Sequence, residues 1–67
     1  MTLLVNGVQR EVGEGSTLRD LLPEGAGRGG RGVAIARNGE VVPRSGWSEV
    51  RVQQGDRIEI LNAVGGG

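Results

Sequence analysis

The sequence predicts an α+β fold, a mixed sheet of four to five strands packed on one short helix. Two Asn-Gly pairs, Asn6-Gly7 and Asn38-Gly39, each sit between strand-like apolar segments. A cluster of leucines at helical spacing lies between them, and a last alternating segment, Arg57 to Leu61, closes the pattern. Asn-Gly is the strongest short hairpin signal, because both residues accept the positive φ of a type I′ turn. Thr2 to Val5 and Val8 to Val12 are therefore the first hairpin.

Gly13 and Gly15 break the second strand. Ser16 or Thr17 can cap a helix, and Thr17-Leu18-Arg19-Asp20 approximates a capping box with Asp in place of Glu. Leu18, Leu21 and Leu22 stand at i, i+3 and i+4, on one helical face. Pro23 keeps the helix short or kinks it. Residues 24–32 are Gly-rich and read as a loop. Val33 to Ala36 is the third strand and Val41-Val42 the fourth, ended by Pro43. Gly46 to Val52 reads as an irregular crossing segment with Trp47 half buried. Gln54-Gly55-Asp56 turns the chain into Arg57 to Leu61, where Ile58 and Ile60 alternate with charged residues. The expected core is almost wholly aliphatic: Leu3, Val5, Leu18, Leu21, Leu22, Val33, Ile35, Val50, Ile58 and Ile60, with Trp47 at its edge. A helix laid across a sheet between two hairpins is the β-grasp arrangement, as in ubiquitin.

Composition removes several function classes. Sixty-seven residues allow one domain with a thin core. The chain has no Cys, hence no disulfide, thiolate ligand or iron–sulfur site, and no His to act as a base near neutral pH. Its net charge is zero and a single Trp is its only aromatic residue, a poor footprint for nucleic acid. No segment has the apolar length of a membrane span and no signal pattern opens the chain, so the expected compartment is the cytosol. All eight cationic residues are Arg. Without Lys, no ε-amine is available as an isopeptide acceptor.

Gly65-Gly66-Gly67 follow the last strand directly, and 14 of the 67 residues are Gly. Three in a row at one named place arise by chance in roughly 1% of such chains. The expected organisation is a globular domain over 1–64 and a flexible glycine tail over 65–67. Such a tail is a thin arm with a carboxylate at its tip, suited to a narrow enzyme cleft. Extended from Val64 to Gly67 it reaches roughly 13 Å. The competing reading is a frayed end without chemistry.

Val5-Asn6-Gly7, Thr17-Leu18 with Leu21-Leu22, Gly32 to Ala36 with Asn38, Val41-Val42-Pro43-Arg44 with Trp47, Gly55-Asp56, Ile58-Glu59-Ile60 and the terminal glycines together resemble the ThiS family. The resemblance covers almost the whole chain in order. It implies a sulfur carrier of thiamine thiazole biosynthesis, itself no enzyme but a cosubstrate reloaded each cycle. By the resemblance, Gly67 is adenylated by an E1-like adenylyltransferase (ThiF- or MoeB-like) that uses ATP, with no cofactor bound to the carrier. The acyl-adenylate becomes a thiocarboxylate, through a sulfur donor enzyme, and delivers sulfur to a ThiG-like thiazole synthase or another sulfur-accepting synthase. The chain departs from the family pattern in ending on three glycines rather than two, and in a helix region diluted by Pro23 and the glycines after it.

Apolar residues near the tail are the candidates for docking: Leu61, Ala63 and Val64, flanked by Arg44, Arg57 and Glu59 as steering charges. Leu61 as ordinary core is the competing reading. Two glycine patterns carry little. Gly25 to Gly30 satisfies G-x-G-x-x-G but follows a helix instead of a strand, which removes its dinucleotide context. Arg28 to Gly32 is a single RGG copy without aromatic interleaving. Rival functions are the small subunit of molybdopterin synthase, a carrier for another sulfur-containing metabolite, and a passive β-grasp binding module. A phosphopantetheine carrier would be helical, which this chain is not expected to be.

Overall fold

The computed structural model of the chain describes residues 1–22 and 32–62. The expected Pro23 kink, the glycine loop and its two glycine patterns up to Arg31, and the tail residues Ala63 to Gly67 lie outside the described residues. Both hairpins form where the Asn-Gly pairs place them. β1 (Thr2–Val5) and β2 (Val8–Glu11) pair antiparallel, with Val5 opposite Val8. β3 (Val33–Arg37) and β4 (Glu40–Val42) do the same, with Arg37 opposite Glu40. All four turn residues have positive φ, 52° and 82° at Asn6 and Gly7 and 51° and 89° at Asn38 and Gly39. That is the type I′ geometry whose twist matches the strands it joins.

β5 (Arg57–Asn62) inserts between the hairpins, giving the strand order β2-β1-β5-β3-β4. It runs parallel to β1, with Leu4 beside Arg57 and Val5 beside Ile58, and antiparallel to β3, with Ile35 beside Ile60. The last strand in the chain is thus the central strand of the sheet.

Among the described residues the expected helix is a single 3-10 turn, Leu18–Leu21. Its N-terminus is set by one arm of the expected capping box: the Asp20 carboxylate accepts the Thr17 backbone N–H at 2.9 Å and the Thr17 hydroxyl at 3.2 Å. Its end is set by the proline. Leu22, the residue before Pro23, is extended at φ −90° and ψ 147°, as the clash between a proline ring and the preceding residue requires. One turn still suffices to bury Leu18, Leu21 and Leu22. Another 3-10 turn, Arg44–Gly46, leads into the segment from Gly46 to Val52 that reads from sequence as an irregular crossing.

Leu3, Val5, Ile35 and Ile58 project from the inner face of the sheet onto these leucines, Trp47 and Val52. Each fully buried aliphatic side chain contributes about 1.5–3 kcal/mol. Several core expectations change. Trp47 is 3% exposed rather than half buried, and Val52 takes a buried place expected for Val50. Val50, Val33 and Ile60 are partly buried around that centre. The reason is visible in the backbone. Leu18 N–H donates to Val50 O (3.1 Å), Arg19 N–H to Trp47 O (3.0 Å) and Val52 N–H to Ser16 O (2.9 Å). These bonds draw the crossing segment against the 3-10 turn, so the indole closes the core instead of bordering it. Its Nε1–H donates to the Val42 carbonyl at 2.9 Å, satisfying the one polar atom the ring carries inward. Among the described residues no helix is long and apolar enough to cross a membrane.

Two substitutions separate the ring from its hydrogen bond. Trp47→Ala is expected to cost about 3–5 kcal/mol, for a large buried aromatic. Trp47→Phe retains most of the ring, so it is expected to cost less, including about 1 kcal/mol for the lost bond to Val42. Urea unfolding followed by circular dichroism checks both; equal losses would refute the packing role of the ring, and a Trp47→Phe protein as stable as the parent would refute the role of the indole N–H.

Candidate functional site

Side chains along a strand alternate between faces. In β5 this sends Ile58 and Ile60 inward and leaves Arg57, Glu59 and Leu61 exposed on the outer face. Three of the sequence-predicted docking residues therefore form one row, and Leu61, at 68% exposure, is surface rather than core. Arg44 is exposed but stands apart from this row. It opens the Arg44–Gly46 3-10 turn, beyond edge strand β4, in the segment that closes the inner side of the sheet. Ala63, Val64, Gly65, Gly66 and Gly67 follow Asn62 and lie outside the described residues.

Sheet register brings further residues to the outer row that reading by sequence missed. Leu4 lies beside Arg57, Ala36 beside Glu59, Ala34 beside Leu61, and Val41 beside Ala36. Val41 is 74% exposed and Leu4 39%. The result is a shallow apolar surface of Leu61, Ala34, Ala36, Val41 and Leu4, crossed by one cation and one anion. Exposed apolar surface of this kind, flanked by charge, is a candidate for contact with a protein partner. Alternation within Thr2 to Val5 and Val33 to Ala36 was the signal for Leu4 and the two alanines. Which strands stand side by side was not readable.

The row is anchored at the start of β5 by Asp56, which is 6% exposed. Its carboxylate accepts Arg37 Nε at 2.8 Å, Asn38 Nδ2 at 3.1 Å and the Gln53 N–H at 2.8 Å. Asn38 in turn grips Arg57: its Oδ1 accepts the Arg57 N–H at 2.9 Å, and its own N–H donates to the Arg57 carbonyl at 2.8 Å. Burial by itself raises the Asp56 carboxyl. The bonds from Arg37, Gln53 and Asn38 and the Arg37 charge together outweigh it, holding the group below its ordinary 3.8. This is a structural anion, committed to positioning β5.

A model of the ThiS family matches residues 3–67. The chain belongs to the ThiS family. Over all 67 residues it is 34% identical to the sulfur carrier protein ThiS of Escherichia coli, covering 100% of both. It is 42% identical to a thiazole synthase of Paramagnetospirillum magneticum and 37% identical to one of Magnetococcus marinus, but spans only 20% of the length of each. Among solved structures, the thiamine biosynthesis protein (ThiS) of Geobacter metallireducens matches over 100% of both chains, with a TM-score of 0.73 and 32% identity. The fold is a ubiquitin-like β-grasp, with a 3-10 turn at Leu18–Leu21 packed on the sheet.

A carboxylate held below its unfolded value adds stability that is complete above that unfolded value and vanishes as pH falls through the folded one. Stability is therefore expected to decline on acidification below about pH 4. Asp56→Ala should remove that share of the acid dependence and cost about 2–3 kcal/mol at neutral pH, by stranding three donors. Denaturant midpoints measured across pH for both proteins check the sign and the size.

Proposed function

We propose that this chain is the sulfur carrier for thiamine thiazole formation, a cosubstrate whose working group is the Gly67 carboxylate. The observation that carries this reading is the end-to-end match to a sulfur carrier protein, over the full length of both chains. A carboxylate is a poor electrophile, since its charge is delocalised over two oxygens. Attack of one oxygen on the α-phosphorus of ATP, in an E1-like activating enzyme, releases pyrophosphate and leaves an acyl-adenylate. A sulfur nucleophile supplied by the donor enzyme then adds to the carbonyl and expels AMP, giving the thiocarboxylate. Delivery of that sulfur to the acceptor breaks its bond to the Gly67 carbonyl carbon, and an oxygen from water or from the acceptor takes its place, returning the tail as a carboxylate. The chain contributes no Cys and no His to these steps. Its part is binding and orientation, which convert an encounter into an effectively intramolecular reaction.

Gly65 and Gly66 present no side chain to the cleft walls. The globular body docks through the outer face of the sheet, with Leu61 and its neighbours making apolar contact while Arg57 and Glu59 set register. A thiazole synthase is the acceptor partner this reading favours, because sequences like the whole of this chain recur inside proteins of that name.

Incubation with ATP, an E1-like activating enzyme and a sulfide donor is expected to exchange one oxygen for sulfur at Gly67, read by intact mass and fragmentation. An unchanged mass, with the enzyme proven active on its own carrier, would refute the proposal. Gly66→Val is expected to block loading by obstructing the cleft. Leu61→Asp should leave unfolding within about 0.5 kcal/mol of the parent, as suits an exposed site, yet slow loading. Loading of Leu61→Asp at the parental rate would remove the outer face from the docking scheme.

A further inference from the structure

β5 is held unequally along its length. Toward β3, pairing runs from Arg37 beside Ile58 to Val33 beside Asn62. Toward β1, the strand partners end at Val5 beside Ile58, because the chain turns away at Asn6-Gly7. Among the described residues the Asn6 N–H makes the last main-chain bond on this side, to the Ile58 carbonyl at 2.9 Å. Among the described residues the Ile60 N–H and carbonyl would then have no main-chain partner. The Asn6 side chain takes both. Its Oδ1 accepts the Ile60 N–H at 2.8 Å and its Nδ2 donates to the Ile60 carbonyl at 3.2 Å. One carboxamide thus stands in for a residue of strand, carrying the ladder to within two residues of Asn62.

Turn chemistry does not account for this. The positive φ at position 6 is equally open to Gly and Asp, and neither offers a side-chain donor and acceptor together. We propose that Asn6 is a positioning residue for sulfur loading. Its carboxamide fixes the final residues of β5, and with them the point and direction from which the chain continues toward Gly67. The proposal rests on the carrier reading above. Rigidity at this point lowers the ordering cost of docking, so its loss falls on binding of the carrier rather than on the chemical step.

The test compares Asn6→Gly, which keeps the turn and deletes the carboxamide, with Asn6→Asp, which keeps only the acceptor for the Ile60 N–H. Backbone amide exchange and steady-state loading are measured with ATP, an E1-like activating enzyme and a sulfide donor. For Asn6→Gly, exchange at the Ile60 amide should rise about tenfold, given the usual net worth of the lost bonds, with protection at Leu3 and Ile35 unchanged. The KM for the carrier should rise about tenfold with kcat within about twofold of the parent. Asn6→Asp should fall between the two proteins in both readouts. Faster Ile60 exchange with parental loading kinetics would reduce Asn6 to a structural clamp and overturn the proposal, as would a fall in kcat at constant KM. A parent protein that acquires no sulfur would sink the carrier reading and this one together, whereas a defect absent from the variants alone counts only against Asn6.

Discussion

Everything in this small sheet hangs on the anchoring of a strand that has no hairpin partner of its own. β5 reaches the centre of the sheet from a turn, and Asp56 is where that turn is tied down. Its backbone carbonyl accepts the Leu4 N–H from the first hairpin at 3.0 Å, while its carboxylate takes Arg37 and Asn38 from the second. The bond to Gln53 fixes the turn itself. One residue therefore joins three pieces of chain. The contacts that result link residues more than fifty positions apart, as Leu4 and Arg57 show. Their loop-closure cost falls on folding before the core rewards it.

The local elements were legible because their chemistry is local. Asn-Gly reports its turn without help from the rest of the chain, and alternation around Ile58 and Ile60 reports a half-buried strand. The 3-10 turn was harder. Leucines at i, i+3 and i+4 fit an α-helix, yet Leu22 must be extended ahead of Pro23, and too few residues remain for a second turn. The full burial of Trp47 is not legible because it comes from backbone bonds between the start of the 3-10 turn and a crossing segment, 47–52, that carries no periodic pattern.

The candidate site divides in the same way. Arg57, Glu59 and Leu61 could be placed on one face from a single strand's alternation. Leu4, Ala34, Ala36 and Val41 join them only through register between strands distant in sequence. Asn6 and Asn38 read as turn residues and are turn residues. That each also spends its carboxamide on β5, one at Ile60 and the other at Arg57, depends on where the last strand lies. No local signal contains that fact.

The central position of β5 has a mechanical consequence. Its ladder bonds lie across the strand direction toward β3 and slant across it toward β1. A pull exerted on the chain beyond Asn62, against a body held in place, loads these bonds together in shear. The same pull on β2 or β4 would peel an edge, one rung at a time. Tension applied after Asn62 is thus borne by the middle of the sheet, and the body can be handled from that end without being unravelled.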